Sequence, residues 1–185
     1  MIKVLGGGTP KTKEANYWNG NIPFFTPKDV GTPYTFCTEK YITGDGLSHC
    51  NSKLYPKNTT FVTARGTVGK ISLAGKSMAM NQSCYALASD VLDPILVHFY
   101  TLQTVRSLKH KASGAVFDAI VTRDFDLETI PLLPKNMQNE VCNILISYLD
   151  MIHSNQHEIL NLITLRDALL PQLMSGELDV SAMNI

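Results

Sequence analysis

Between Asn136 and Leu170 the chain carries an apolar pattern that suits a long helix with one partnered face. Leu145, Ile152, Ile159 and Arg166 stand seven residues apart, and Val141, Tyr148, Asn155, Leu162 and Leu169 form a second row offset by four and three. Seven of these nine positions are apolar, which marks a coiled-coil seam rather than a plain surface stripe. At about 1.5 Å per residue such a helix is a rod of roughly 50 Å. A rod of that length outruns a small domain and calls for a partner helix; the alternative is a long helix packed on its own domain. Leu149, Ile163 and Leu170 widen the stripe. Asn155 inside the seam suits a register-fixing polar residue, at a cost in stability. The period ends at Pro171, and the tail QLMSGELDV follows.

A chain of 185 residues suits one domain with an appendage, or two small domains. No apolar run is long enough for a membrane span, and MIKVLGGGTP lacks the apolar core of a signal peptide. The expected setting is cytoplasmic. Cys37, Cys50, Cys84 and Cys142 form no C-x-x-C pair, so free, mostly buried thiols are expected. Net charge is zero, but residues 1–134 hold 14 Lys+Arg against 10 Asp+Glu, and residues 135–185 hold 2 against 6. A basic front and an acidic helix point to two kinds of partner, one of them polyanionic.

Residues 6–35 are rich in Gly, Pro, Thr and Asn and predict turns and extended segments, with Trp18, Phe24 and Phe25 as apolar anchors. Gly44–Ser52 reads as a loop with room for a short helical turn. Phe61–Ala64, Lys70–Ala74 and Tyr85–Ser89 are β-prone, with a tight turn at Arg65-Gly66-Thr67. Asp93-Pro94 opens a helix that keeps its period to about Lys111. Short turns are expected over Ala115–Ile120 and Thr122–Asp126, and an edge strand over Glu128–Leu133. The domain boundary falls at Pro134, giving residues 1–134 and 135–185.

Catalytic patterns are missing. A phosphate-binding P-loop needs G-x-x-x-x-G-K-[ST], but Ala64 and Ile71 spoil the run around Gly69-Lys70, and Lys70 spoils the one around Gly75-Lys76-Ser77. His153 and His157 sit four apart, yet Ser154 stands where a zincin needs Glu. No G-x-S-x-G elbow, methyltransferase-type Asn/Asp-Pro-Pro-aromatic tetrapeptide or Rossmann glycine loop occurs. The residues describe a binding protein.

Seven segments in order then resemble one family, the specificity (S) subunits of type I restriction–modification systems. They are GGGTPKTKEANYWNGNIPFFTPKDV (Gly6–Val30), ITGDGL (Ile42–Leu47), TARGTVGKISLA (Thr63–Ala74), MNQSCYAL (Met80–Leu87), ASGAVFDAI (Ala112–Ile120), IPLLPKNMQNEV (Ile130–Val141) and LRDALLPQLMSGELDV (Leu165–Val180). The resemblance implies an α/β (α+β) target-recognition domain followed by a long C-terminal helix forming an antiparallel coiled coil. It also implies a non-catalytic role: reading double-stranded DNA and docking methyltransferase (M) and restriction (R) subunits. No cofactor is expected in this chain, since S-adenosylmethionine, ATP and Mg belong to those partners. An S subunit has two recognition domains and two helical regions, and one of each is present here, with only Met1–Leu5 ahead of the glycine loop. The expectation is a half-subunit, natural or truncated, that restores a pair as a homodimer and reads an interrupted palindrome. The alternative is an interaction protein that binds M subunits without reading DNA.

Candidate DNA contacts follow from side-chain chemistry. Gly6–Gly8 let backbone amides approach a phosphate, with Thr9, Lys11, Thr12 and Lys13 as donors beside them. Thr26 and Lys28 lie on a second loop; Thr67, Lys70 and Ser113 are further polar candidates. Arg65 suits a bidentate contact to guanine, and Asn81 and Gln82 suit adenine, although either amide also serves to satisfy backbone groups. The partner interface is expected at Val141, Leu145, Tyr148, Ile152, Asn155, Ile159, Leu162, Arg166 and Leu169, with M-subunit contact near Arg166 and the acidic Gly176–Asp179.

Overall fold

The computed structural model describes residues 2–31, 33–111 and 119–178. In chain order its elements are β1 (Ile2–Gly6), a 3₁₀ turn (Ala15–Tyr17), β2 (Trp18–Phe25), β3 (Tyr34–Thr35), β4 (Lys40–Ile42), α1 (Gly44–Ser48), β5 (Thr60–Thr63), β6 (Ile71–Ala74), β7 (Ala79–Met80), β8 (Cys84–Ser89), α2 (Pro94–Lys111), α3 (Thr122–Asp126) and α4 (Lys135–Met174). Two compact units result, Met1–Ile146 and Ser147–Ile185.

The first unit is built on two mixed sheets. One has the order β1-β8-β5-β6-β3, the other β4-β2-β7. Strand β5 is central in the larger sheet, antiparallel to both β6 (Thr60↔Leu73) and β8 (Thr60↔Leu87). All four of its residues are buried, and side chains alternate between faces along a strand. Phe61 therefore points into one cluster with Phe25, Tyr55, Met78, Met80, Cys84 and Ala86, which joins the two sheets. Val62 points the other way, into a cluster with Leu87, Val97, Val105, Leu108 and Ile120 that joins the sheet to α2. The layers are small sheet, large sheet, helix. Phe61 is fully buried, with the Phe25 ring at 4.7 Å and the Tyr55 ring edge-on at 5.8 Å.

Helix α2 begins as its sequence predicts: Asp93 Oδ1 accepts from the Ile95 amide at 2.8 Å, and Pro94 occupies the first turn, where its missing N–H costs nothing. Its last turn carries Lys109, His110 and Lys111, which suit the negative end of the helix dipole. A second stripe of α2, Leu96 and Tyr100, packs with Val141, Cys142, Leu145 and Ile146 of the first turns of α4.

Two expectations, the Glu128–Leu133 strand and the helix end at Pro171, need correction. Residues Ile2–Gly6 form a full strand against β8, and within the turns and extended segments expected over residues 6–35, Trp18–Phe25 form an eight-residue strand. An irregularity hides β2: Trp18 and Ile22 both face Ile42, and Asn19 takes φ 59°. Glu128–Leu133 is not a strand. Instead, its polar groups bond to helices: the Leu133 amide donates to the Tyr100 hydroxyl at 2.9 Å, and Glu128 accepts from Ser107 Oγ at 2.9 Å and pairs with Lys111 at 2.5 Å. Finally, α4 runs past Pro171 to Met174. A proline disturbs only the turn before it, and its own carbonyl still accepts from Ser175 at 2.9 Å. The stop is Gly176, at φ +74°.

The cysteines are free, Cys84 and Cys142 buried, Cys50 partly so and Cys37 exposed. Among the described residues no helix is long and apolar enough to cross a membrane.

Candidate nucleic-acid interface

Four connections of the first unit meet at one place: the loop after β1, the loop after β2, the β5–β6 turn and the β7–β8 turn. Backbone hydrogen bonds tie them. Gly8 N donates to Met80 O at 3.1 Å, Asn81 N to Phe25 O at 3.0 Å, and the amides of Ala64 and Arg65 to Ser83 O at 2.8 and 3.3 Å. Side chains add two more ties, from Thr67 Oγ1 to Pro27 O at 3.2 Å and from the Thr9 hydroxyl to the Gln82 side-chain carbonyl.

An open cleft of about 340 Å³ lies among these loops, lined by Thr26, Pro27, Lys28, Glu39, Lys40, Arg65, Gly66, Asn81 and Ser83. Four of the sequence-predicted residues (Thr26, Lys28, Arg65 and Asn81) thus come together from three separate segments. Asp29 ties two lining residues together: one carboxylate oxygen accepts from the Thr26 amide at 2.8 Å and the Thr26 hydroxyl at 2.6 Å, the other from the Glu39 amide at 2.7 Å. Lys28 stands 3.8 Å from Glu39, both well exposed, a pairing weak enough to yield to a phosphate. Lys40 lies over the Trp18 ring at 5.8 Å. Glu39 and Lys40 were not foreseen; the alternation of Lys28-Asp29 with Glu39-Lys40 was their only sequence signal.

The other predicted residues lie around this cleft. Lys11, Thr12 and Lys13 are exposed on the loop after β1, which is held by Trp18 Nε1 donating to Lys11 O at 3.2 Å. Thr67 and Lys70 are exposed on the β5–β6 turn. Thr9 and Gln82 bond each other. Asn81 Oδ1 accepts from the Ser83 amide at 3.0 Å, the backbone role weighed for it, which leaves its NH₂ group for other partners. Ser113 lies outside the described residues, as do Gly114 and Phe117.

The glycine loop has a packing role as well. A Cβ on Gly7 would sit 2.1 Å from Asn81 O, and one on Gly8 would sit 2.6 Å from Asn51 N. Bare residues let this loop pack against the β7–β8 turn at Gly7 and against Asn51, after α1, at Gly8, and the Gly8 amide is committed to Met80 O. These glycines let the loop pack into the site.

Cys84 lies beneath the cleft floor, its thiol pushed up to about 12 by burial and secondarily by the charge of Asp29. Among the described residues, no group of three or more His, Cys, Asp or Glu is placed to hold a metal ion.

The architecture is shared with solved structures. The crystal structure of the HsdS subunit from Thermoanaerobacter tengcongensis superposes with a TM-score of 0.56 at 20% identity, over 96% of this chain and 43% of that one. A chain from a structural study of assembly and conformational transition in the type I R-M system gives 0.57 at 21%, over 92% and 43%. In sequence, residues 1–165 match the type I restriction modification DNA specificity domain, and the chain belongs to that family. Among its relatives, the MjaIX specificity subunit of Methanocaldococcus jannaschii is 29% identical over 88% of this chain and 40% of its own length. The EcoR124I/EcoR124II specificity subunit of Escherichia coli is 37% identical over 36% of this chain and 17% of its own. The chain spans about two-fifths of the length of the M. jannaschii relative.

Proposed function

We propose that this chain is a non-catalytic, sequence-specific DNA-recognition subunit of a type I restriction–modification complex. It directs methyltransferase and restriction subunits to a bipartite site, and those partners hold the S-adenosylmethionine, ATP and Mg. The observation that carries this reading is the cleft, where Arg65, Asn81, Thr26 and Lys28 converge from loops far apart in sequence. An Arg fork and an amide are the side chains whose donors match guanine and adenine in the major groove. Exposed Lys11, Lys13 and Lys70 around it suit the phosphates that set register without reading sequence.

The second unit supports pairing with another copy. Tyr148, Ile152, Ile159 and Leu162 are 38–62% exposed on α4, and Asn155 and Arg166 share their face. Val141 and Leu145, by contrast, are packed in the first unit's own cluster, so the available seam starts at Tyr148 and continues through Leu169. Two copies paired about a twofold axis read the same half-site twice.

The test is methylation mapping in a host supplied with this chain and its M subunit. The expected mark is an interrupted palindrome; an asymmetric bipartite motif that depends on this chain alone would overturn the homodimer. With the purified complex, Arg65→Ala should lose about 1–3 kcal/mol of discrimination at one base pair. Neutralising Lys11 or Lys13 should instead weaken all sites alike and lower the log–log salt slope by about 0.9 each. A complex that shows no preference among duplexes sinks the recognition reading.

A further inference from the structure

We propose that Lys109, at the end of α2, is a positioning residue that holds the β5–β6 turn in its base-reading geometry. The proposal rests on the assignment of Arg65 and Thr67 to DNA. Lys109 lines no part of the cleft, and its ammonium donates to Gly69 O at 2.7 Å, forty residues away in the chain. Gly69 is buried and takes φ +70°. A Cβ there would meet Lys109 Cε at 2.5 Å and Val105 Cγ1 at 3.1 Å. The bare backbone therefore meets two demands at once, a left-handed turn and room for the lysine arm.

The rest of the turn is braced as firmly. Gly69 N donates to Thr63 O at 2.8 Å, and the Thr63 hydroxyl donates to Thr67 O and accepts from Lys70 N at 3.0 Å. On the opposite leg, Ala119 pairs with Arg65 and Ile120 N donates to Ala64 O at 2.9 Å. Both legs of the arc that presents Arg65 and Thr67 are thus gripped from one direction, by the end of α2 and by the chain that returns from it. Of these grips, the Lys109 bond is made by a charged side chain, and charge-assisted bonds to a carbonyl are strong and directional. A displacement of the arc by even a fraction of an ångström would misalign a bidentate contact.

The experiment selects bound sequences from randomised duplex DNA with the purified complex of the full chain and its M subunit, and compares Lys109→Met, Lys109→Arg and Lys111→Met with the wild type. Lys111 is a control of equal charge in the same turn, engaged with Glu128 instead. Lys109→Met is expected to relax preference at one or two base pairs by at least about fivefold, with an unchanged salt slope. Lys109→Arg, which keeps a donor, and Lys111→Met are expected to retain the motif. Melting temperature checks folding, and Lys109→Gln replaces the methionine variant if that one fails to fold. A uniform loss of affinity with a shallower salt slope would make Lys109 a phosphate contact and overturn the proposal, as would an unchanged motif. If the wild type itself enriches no motif, the DNA reading falls and Lys109's role with it. A wild-type motif that ignores Lys109 removes the positioning role alone.

Discussion

His98 is the most acid-sensitive residue in the core. It is 5% exposed, its neighbour is the Thr60 hydroxyl at 3.5 Å, and burial lowers its pKa to about 4. A chain unfolded in water protonates this imidazole near pH 6.5, whereas the folded one resists down to about 4. Stability is therefore full above pH 6.5 and is lost as pH falls through that window, by about 3 kcal/mol at its lower end, at 1.36 kcal/mol per unit. Glu128, its carboxyl held below the usual range by Lys111, adds a separate loss that begins only below about pH 4.5. Urea denaturation from pH 7 to 4 should show the first slope, and His98→Gln should flatten it. A slope that survives in the variant would place the sensitivity elsewhere.

Individual elements differ in how plainly the sequence announces them. Strands β5, β6 and β8 are legible because unbroken β-prone runs stand between glycine turns, and α2 because Asp93-Pro94 is a start signal that depends on no partner. Strand β2 escapes because Gly20 and Pro23 interrupt its alternation and its ladder shifts register between Trp18 and Ile22. Ile130 and Leu133 mimic an edge strand, yet they are partly buried against α2 and the start of α4. Burial, not pairing, fixed their apolar character. On α4 the heptad rows foretold the helix but not its division, since a seam looks alike whether its own domain or a second copy covers it. Asn155 tests the exposed portion. If it locks register between copies, Asn155→Leu should raise the melting temperature while spin-label distances across the pair broaden. A variant of lower stability and unchanged distances would refute this.

At the scale of the molecule, residue types were easier to foresee than their meeting. Nothing in the spacing of Thr26, Arg65 and Asn81 says that they share a cleft; that follows from the packing of two sheets, which brings the ends of β2 and β7 in one beside the end of β5 in the other. Lys40 and Lys109 were illegible for the same reason, since each acts through a contact made only in the folded chain. The loops around the cleft are joined chiefly through main-chain groups, at Gly8, Ala64, Arg65 and Asn81, while Lys13, Lys28, Arg65 and Lys70 are exposed. Exposed positions of this kind usually change stability by about 0.5 kcal/mol or less. A library randomised at these four positions should mostly keep the parental melting temperature within a few degrees, and widespread unfolding would show that the side chains hold the loops after all. Because main-chain ties are indifferent to side-chain identity, selection can rewrite what the loops present while the core beneath is left alone. On the proposed reading of this cleft as a DNA-recognition surface, that makes a change of target a matter of a few surface codons, open equally to evolution and to a designer.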